Sequence, residues 1–200
     1  MARLAVEERR AALVEAALRV MVRDGLAAGT TRAIVAEADM SLASFHYAFS
    51  GRDELLRELV RRVVGREFAA ATTDLRPEDG LVGCLRQAAA GYLAHLEGDP
   101  GQEQLMLELT LHALRDAELR PLARAQYRAY TEAASRLLET AAELTGRQWD
   151  RPVPELARLL VTLVDGATTT WLVDRDTAAT RAVLDAAVEL FVARHAAQPA

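Results

Sequence analysis

Small, hydrogen-bonding and aromatic side chains are concentrated in one stretch of the sequence, Thr30 to Leu56. Within it, Ser41 precedes a short run in which small residues are followed by His46 and Tyr47. Small residues let a helix approach another molecule closely, while imidazole and phenol groups can form hydrogen bonds with that molecule. Contacts to phosphates and to the edges of bases require these properties.

The spacing of apolar residues predicts two short helices in this stretch. Ile34, Val35 and Ala38 fall on one face of the first helix, which is predicted over residues 31–38. Met40 follows in a turn, where an apolar side chain can fill the angle between two helices. The turn therefore predicts two helices that pack against each other rather than two separate segments.

The second helix is predicted over residues 42–49 and carries Phe45 and Phe49 four positions apart on one face. We interpret these two rings as core residues rather than as groups that stack on DNA. Two short helices joined by a tight turn are typical of a helix-turn-helix, whose second helix enters the DNA major groove. The stretch thus predicts a DNA-binding element.

The second helix has residue types suited to each part of such a contact. Ser41 is placed to cap the helix, and Ala43 and Ser44 are small enough for close approach. Tyr47 is predicted to contact a phosphate or a thymine methyl group, and Leu42 offers an apolar surface to a thymine methyl.

The motif T-T-R-A-I-V-A-E-A-D-M-S-L-A-S-F-H-Y-A-F-S-G-R-D-E-L-L closely resembles the DNA-binding region of the TetR family of bacterial regulators. The family pattern is T-T-x-x-I-A-x-x-A-G-V-S-x-x-T/S-L/F-Y/H-x-x-F, followed after a short gap by K/R-x-x-L-L. The resemblance covers about Glu8 to Phe68 and is architectural beyond that. Asp39 replaces the usual Gly, and Ala48 stands where His or Tyr is common. Because Asp tolerates a left-handed conformation better than most residues, we expect the turn to be retained.

The resemblance also implies roles for individual residues. Arg32 matches a basic position near a guanine or a phosphate, Arg52 matches a phosphate anchor, and His46 matches an aromatic that contacts backbone or base. Alternatively, both arginines are ordinary exposed residues and His46 packs on its own helix. The residues that we expect to contact DNA are Thr31, Arg32, Ser41, Leu42, Ala43, Ser44, His46, Tyr47 and Arg52.

Helical periodicity continues along the whole chain and predicts an all-α protein of about nine helices. We expect an N-terminal three-helix DNA-binding domain with the helix-turn-helix at residues 1–52. A C-terminal helical ligand-binding and dimerisation bundle is expected at residues 53–200. Ser50 to Asp53 is interpreted as a capping box for the fourth helix, and the seventh helix is predicted from about Glu118.

The last two predicted helices carry long apolar stripes. They could complete a monomeric bundle, but the resemblance implies that they pair with their copies in a four-helix homodimer interface. The residues predicted at that interface are Leu160, Val164, Ala167, Val183, Ala187, Leu190 and Phe191.

The resemblance further implies a cavity for an unknown small-molecule ligand in the C-terminal half. Sites between helices are usually apolar with a few convergent polar groups. Each candidate residue taken singly fits a core position at least as well as a ligand contact. The candidates are Phe68, Tyr92, His95, Met106, His112, Tyr127, Tyr130, Thr168 and Trp171.

The sequence offers little support for an enzyme or a metalloprotein. Glu108 and His112 are spaced to share a helix face, but with no second such pair we interpret them as a hydrogen-bonded or ionic pair. Cys84 is interpreted as a small buried hydrophobic residue. No nucleophile–base pairing or Gly-rich phosphate loop is evident, so we expect no catalytic residues, no cofactor and no metal.

Charge is divided along the chain in a way that fits a DNA-binding N-terminal part. Residues 1–66 hold 11 Arg and 9 acidic residues, whereas residues 67–200 hold 13 Arg and 20 acidic residues, within a total net charge of −5. Because the net charge of residues 1–66 is only +2, an alternative function remains: a helical dimeric adaptor that has lost specific DNA binding. The single cysteine, the absence of a signal peptide and the short apolar runs predict a cytoplasmic protein with no membrane partner. The function that we expect is a ligand-responsive regulator, a repressor released from a palindromic double-stranded DNA operator.

Overall fold

The computed structural model describes residues 6–117 and 119–197. Its α-helices are α1 (Val6–Asp24), α2 (Thr31–Glu37), α3 (Leu42–Ala48), α4 (Arg52–Thr72), α5 (Gly80–Gly98), α6 (Pro100–Arg115), α7 (Arg120–Thr145), α8 (Val153–Asp174) and α9 (Thr177–His195). Two 3-10 turns lie at Leu26–Ala28 and Pro77–Asp79. Within the described residues, β pairing is confined to an isolated bridge between Trp149 and Ala196. The predicted all-α fold with about nine helices is confirmed.

The predicted helix boundaries differ from the observed ones by only a few residues. Both α2 and α3 end one residue earlier than expected, at Glu37 and Ala48. Glu118, the predicted start of the seventh helix, lies outside the described residues, and α7 is described from Arg120. Such differences are ordinary at helix ends, where single turns are held by few hydrogen bonds.

The chain forms two compact units, each with its own core. The first unit comprises the described parts of Met1–Val63 and Gly101–Tyr127, and the second comprises those of Val64–Pro100 and Arg128–Ala200. These units are defined by packing alone. The predicted division after residue 52, between a DNA-binding and a ligand-binding domain, is defined by function and stays a prediction.

The core of the first unit is built on the apolar face of α1. This face consists of Leu13, Ala16, Ala17, Val20 and Met21, which recur at helical spacing and are all buried. The helix-turn-helix adds the buried side chains of Ile34, Val35, Phe45 and Phe49, and α4 adds Leu55, Leu56, Leu59 and Val63. The short helices α2 and α3 are therefore held by packing against longer ones.

In the second unit, α5 and α8 both pack against α9. The core residues of this unit are Leu81, Cys84, Leu85, Leu138, Ala141, Leu156, Ala157, Val188, Phe191 and Val192. Cys84 is fully buried, as predicted, and its thiol donates to the carbonyl oxygen of Arg76 at 3.3 Å. Burial raises the pKa of this thiol, and nearby Asp79 and Glu78 raise it further.

Among the described helices, α8 alone is long and apolar enough to cross a membrane by length and composition. This is weak evidence for a membrane span, because a helix that packs within a soluble protein passes the same test. Leu156, Ala157 and Trp171 of α8 are buried inside the chain.

Candidate nucleic-acid interface and ligand site

Each helix of the helix-turn-helix begins at a hydroxyl cap. Thr30 accepts a hydrogen bond from the backbone N–H of Ala33 at 3.2 Å, and Ser41 accepts one from Ser44 at 3.2 Å. Both capping residues have extended backbone conformations, and each hydroxyl satisfies an amide that has no partner within the helix. The prediction that Ser41 caps α3 is confirmed.

The turn between α2 and α3 depends on a left-handed residue. Asp39 has φ of 52°, in the region that most residues avoid. The chain then reverses through a hydrogen bond from the backbone N–H of Met40 to the carbonyl oxygen of Val35 at 2.8 Å. Asp39 thus takes the conformation expected of the usual glycine, and the tight turn is retained.

The second helix, α3, has one buried and one exposed face. Phe45, Ala48 and Phe49 are buried, and the two phenyl rings lie 5.8 Å apart between their centres. His46 and Tyr47 are exposed, and 59% of the Tyr47 surface is accessible. The interpretation of the two phenylalanines as core residues is confirmed.

Most of the predicted DNA-contacting side chains are accessible in the first unit. Exposed residues of the set are Arg32, Ser41, Leu42, Ala43, His46 and Tyr47, and half-buried residues are Thr31, Ser44 and Arg52. His46 also makes an edge contact with Phe45, with ring centres 5.6 Å apart. Its imidazole therefore packs on its own helix and remains accessible at the same time.

Arg52 is more constrained than a free phosphate anchor would be. Its Nε donates to the carbonyl oxygen of Gly29 and its Nη2 to that of Leu26, both at 2.9 Å. These bonds tie the start of α4 to the 3-10 turn after α1. A phosphate contact by Arg52 stays a prediction, and it would be made by a guanidinium already held on two carbonyls.

Two residues outside the predicted set of DNA contacts, Arg10 and Glu54, hold the end of α3. Nη1 of Arg10 donates to the carbonyl oxygen of Ala48 and, at 2.8 Å, to Oε1 of Glu54. Oε2 of Glu54 accepts hydrogen bonds from the backbone N–H and the hydroxyl of Ser50 at 2.9 and 2.8 Å. The predicted capping box used Asp53 instead, so the carboxylate that caps this turn is one residue further along.

The hydrogen bonds from Ser50 and Arg10 hold the pKa of Glu54 at about 2, well below its ordinary value. Glu54 is therefore ionised at neutral pH. In the sequence, its partner Arg10 lies 44 residues away, so no local spacing connects the two.

On α6, the carboxylate of Glu108 binds a backbone amide instead of His112. Its two oxygens lie 3.3 and 3.4 Å from the backbone nitrogen of Leu26. The carboxylate of Glu108 makes no hydrogen bond or ion pair with His112, which is exposed, so the predicted Glu108–His112 pair is wrong. Among the described residues, no group of three or more His, Cys, Asp or Glu side chains is arranged to hold a metal ion.

Within the second unit, two of the predicted ligand-site residues are joined directly. The hydroxyl groups of Tyr92 and Thr168 lie 2.6 Å apart. Tyr92 packs against a small cluster formed by Leu93, Leu96 and Trp171. This part of the second unit therefore combines aliphatic, aromatic and hydroxyl groups, as sites in helical bundles do.

The other candidates of the second unit are half-buried. Phe68 carries the guanidinium of Arg136 above its ring at 4.7 Å, and Tyr130 is half-buried on α7. Burial lowers the pKa of His95; Asp99 opposes this and Arg66 adds to it. The imidazole is therefore mainly neutral at pH 7 and can both donate and accept hydrogen bonds.

The first unit holds the three remaining candidates, and they do not share an environment. Met106 is fully buried, whereas His112 and Tyr127 are exposed. Met106 thus has the environment of a core residue, and the placement of His112 and Tyr127 at a ligand site stays a prediction.

Two family profiles match this chain. The profile described as bacterial regulatory proteins of the tetR family matches residues 13–59, which contain the helix-turn-helix. The profile described as a tetracyclin repressor-like C-terminal domain matches residues 76–194. The chain belongs to the TetR family.

Similar proteins agree with this assignment. The nicotine-responsive transcriptional repressor HdnoR of Paenarthrobacter nicotinovorans is 25% identical over 172 residues, covering 86% of this chain and 88% of that protein. A TetR-family regulator from Rhodococcus sp. shares the fold, with a TM-score of 0.78 at 20% identity over 92% of this chain and 98% of its own. The multidrug binding protein EbrR, complexed with imidazole, has a TM-score of 0.59 at 29% identity over 88% and 93% of the two chains.

The TetR-family assignment accounts for the DNA-binding element and the helical remainder together. The protein is a ligand-responsive DNA-binding transcriptional regulator. Members of the family are in general DNA-binding regulators that act as dimers.

The residues predicted at the dimer interface differ in how far they are exposed in the single chain. Of the predicted residues, Val183 and Leu190 are exposed, at 61% and 73%, and Leu160, Val164, Ala167 and Ala187 are half-buried. The predicted placement of Phe191 at the interface is wrong. Phe191 is only 5% exposed and packs edge-on against Trp149 in the core of the second unit.

Three residues absent from the predicted interface leave further apolar surface exposed on α8: Leu159, Leu163 and Val173. Leu159 and Leu163 belong to the apolar stripe of α8 that the sequence already showed. Because the stripe covers a wide part of the helix surface, the sequence alone did not show which side of α8 packs against the core of its own chain.

Proposed function

We propose that this regulator is a repressor that binds a near-palindromic operator as a homodimer and leaves it when a small molecule binds. The observation that carries the proposal is α3 itself, a capped helix whose apolar face is buried and whose Tyr47 face is open. The name of HdnoR, a transcriptional repressor, supports repression rather than activation. Similarity to a transcriptional repressor over 86% of this chain supports a cytoplasmic location.

In this proposal, α3 lies in the major groove and α2 lies beside the DNA backbone. Arg32 and His46 read base edges, and Tyr47 contacts a phosphate or a thymine methyl. Residues 1–52 form the DNA-binding domain and residues 53–200 bind ligand and dimerise. Two recognition helices in one dimer would read half-sites in successive major grooves.

The homodimer is proposed to form through the open sides of α8 and α9. Leu159, Leu163, Val183 and Leu190 would there be removed from water by a second copy. This pairing also explains why α8 is apolar beyond the needs of its own chain. We expect light scattering at micromolar concentration to give the mass of two chains, and a monomer would count against the proposal.

The ligand is proposed to bind near the Tyr92–Thr168 pair in the second unit. The relatives give a first set of probes: HdnoR is named for nicotine, and the EbrR structure holds imidazole. We therefore propose a small organic molecule with a nitrogen heterocycle as the first class to test. A neutral His95 and the two hydroxyl groups would supply hydrogen bonds.

The deciding experiment measures binding of the purified protein to DNA from its own upstream region and to a scrambled duplex, across a salt series. Contacts to six to ten phosphates would reduce affinity by about 10³- to 10⁵-fold between 50 and 200 mM salt. Specific, salt-sensitive binding that nicotine or imidazole reverses would support the whole proposal. Absence of binding to any duplex at low salt would favour the adaptor instead.

A further inference from the structure

The recognition helix α3 is too short to keep its own orientation. It has seven residues, and isolated helices shorter than about 12–15 residues are marginal in water. Its direction must therefore come from contacts with other elements. Ser41 caps its start, and Phe45, Ala48 and Phe49 pack its inner face into the core.

The end of α3 is held by Arg10 from α1. The guanidinium donates to the carbonyl oxygen of Ala48, the last residue of the helix. It also lies 4.2 Å from the centre of the Phe49 ring, where the backbone has already left the helical conformation. A cation that donates to the final carbonyls stabilises a helix C-terminus.

The same guanidinium connects this helix end to α4. Arg10 binds Oε1 of Glu54 at 2.8 Å, and its Nη2 lies 3.8 Å from Glu58. The other oxygen of Glu54 accepts both hydrogen bonds from Ser50, in the turn between α3 and α4. One arginine and one glutamate therefore join α1, the end of α3, the turn and the first turn of α4.

Arg10 is poorly placed to serve as a phosphate contact. Its side chain is only 20% exposed, and its Nη1 already serves the Ala48 carbonyl and Glu54. Nη2 lies beside a second carboxylate, that of Glu58, which would repel a phosphate. These contacts instead connect the end of α3 to α1 and α4.

We propose that Arg10 is a positioning residue for DNA recognition, which together with Glu54 sets the orientation of α3 and does not itself contact DNA. The inference rests on the proposed function of α3 as the recognition helix. A positioning residue affects a duplex that must be read at its bases more than a duplex held only by its phosphates.

The experiment compares Arg10→Gln, Glu54→Gln and the double variant with the wild type. A duplex selected from a random library and a scrambled duplex are both titrated across a salt series, and hydrogen exchange is followed over residues 45–50. The matched control is Arg62→Gln, which removes an ion pair with Glu15 across the same two helices without touching α3.

We expect Arg10→Gln to weaken binding to the selected duplex by about tenfold, the loss typical of one charged hydrogen bond. Binding to the scrambled duplex and its salt slope should stay unchanged, and exchange over residues 45–50 should become faster. Because the two residues act together, the double variant should lose little more than Arg10→Gln alone. The Arg62→Gln control should resemble the wild type.

Other outcomes would overturn the inference. If Arg10→Gln weakens both duplexes equally and reduces the salt slope by about one, the residue is a phosphate contact. Unchanged affinity and exchange would also refute it. Should Arg10→Gln fail to fold, the comparison passes to Glu54→Gln. A wild type that selects no duplex refutes the proposed function, and the exchange data then decide separately whether Arg10 holds α3.

Discussion

The guanidinium of Arg9 on α1 lies 5.0 Å from the centre of the Tyr47 ring on α3. Tyr47 is 59% exposed, and this contact restrains its ring. A cation over an exposed aromatic ring contributes about 0.5–1 kcal/mol. Neighbouring residues of α1 thus contact two parts of α3: Arg9 its exposed tyrosine and Arg10 its C-terminal end.

Replacing Tyr47 tests which part of this side chain contacts DNA. Tyr47→Ala should weaken binding to all duplexes, because a phosphate contact carries no sequence information. If the hydroxyl makes that contact, Tyr47→Phe should lose as much, about 1.5–3 kcal/mol, although its ring remains on Arg9. Titration of both variants on specific and scrambled DNA checks this. A Tyr47→Phe variant that binds like the wild type would assign the contact to the ring.

Replacing Arg32 should change specificity rather than overall affinity. A bidentate arginine–guanine contact provides about 1–3 kcal/mol of discrimination, so Arg32→Ala should relax the preference at one base pair in each half-site. Binding to a set of operators with single base substitutions would show which position becomes tolerant. Equal losses on every sequence would make Arg32 a phosphate contact or an ordinary surface residue.

Local patterns in the sequence were sufficient for the elements themselves. The buried face of α1 follows from helical spacing, the Ser41 cap from its position before a helix, and the left-handed Asp39 from the turn that the resemblance requires. In each case the information lies within a few neighbouring residues. The fold class could therefore be predicted before any tertiary contact was known.

Contacts between distant residues could not be predicted in the same way. Arg10 meets Ala48 and Glu54 across 38 and 44 residues, and a surface arginine on α1 has no local signal for this. Glu108 likewise reaches the backbone of Leu26 from α6 instead of its neighbour His112. Both results depend on how helices are arranged in space, which residue spacing within one helix does not determine.

Two substitutions of Asp39 are expected to change the stability of the protein in opposite directions. A left-handed conformation costs a residue with a Cβ atom about 1–2 kcal/mol, and glycine avoids this cost. Asp39→Gly should therefore stabilise the protein slightly, whereas Asp39→Val should destabilise it by at least about 1 kcal/mol. Urea unfolding of the three proteins measures both effects. Equal stability of the valine variant would mean that the turn can change its conformation.

The lowered pKa of Glu54 should make the stability of the protein depend on pH in the acidic range. Its pKa falls from 4.5 to about 2 on folding, so its bonds stabilise the folded state fully above about pH 4.5. This contribution is lost as pH decreases from 4.5 towards 2. Urea unfolding should show Glu54→Gln less stable than the wild type at pH 7, with the difference decreasing at pH 3. A difference that stays constant with pH would mean that these hydrogen bonds do not lower the pKa of Glu54 on folding.

Leu190 and Phe191 are adjacent on α9, but Leu190 lies on the proposed dimer interface whereas Phe191 lies in the core of its own chain. Leu190 is 73% exposed on the proposed interface, so Leu190→Arg should convert the dimer to a monomer in light scattering. Loss of the partner's contacts makes the remaining stability depend less on protein concentration.

Phe191→Ala is the matched control, since Phe191 is buried against Trp149. It should destabilise the chain by about 3–5 kcal/mol, as expected for a large ring removed from a core. Its dimer should persist wherever the chain remains folded. If Leu190→Arg leaves the mass unchanged, the two chains do not pair through this side of α9. The apolar surface on α8 would then need another explanation.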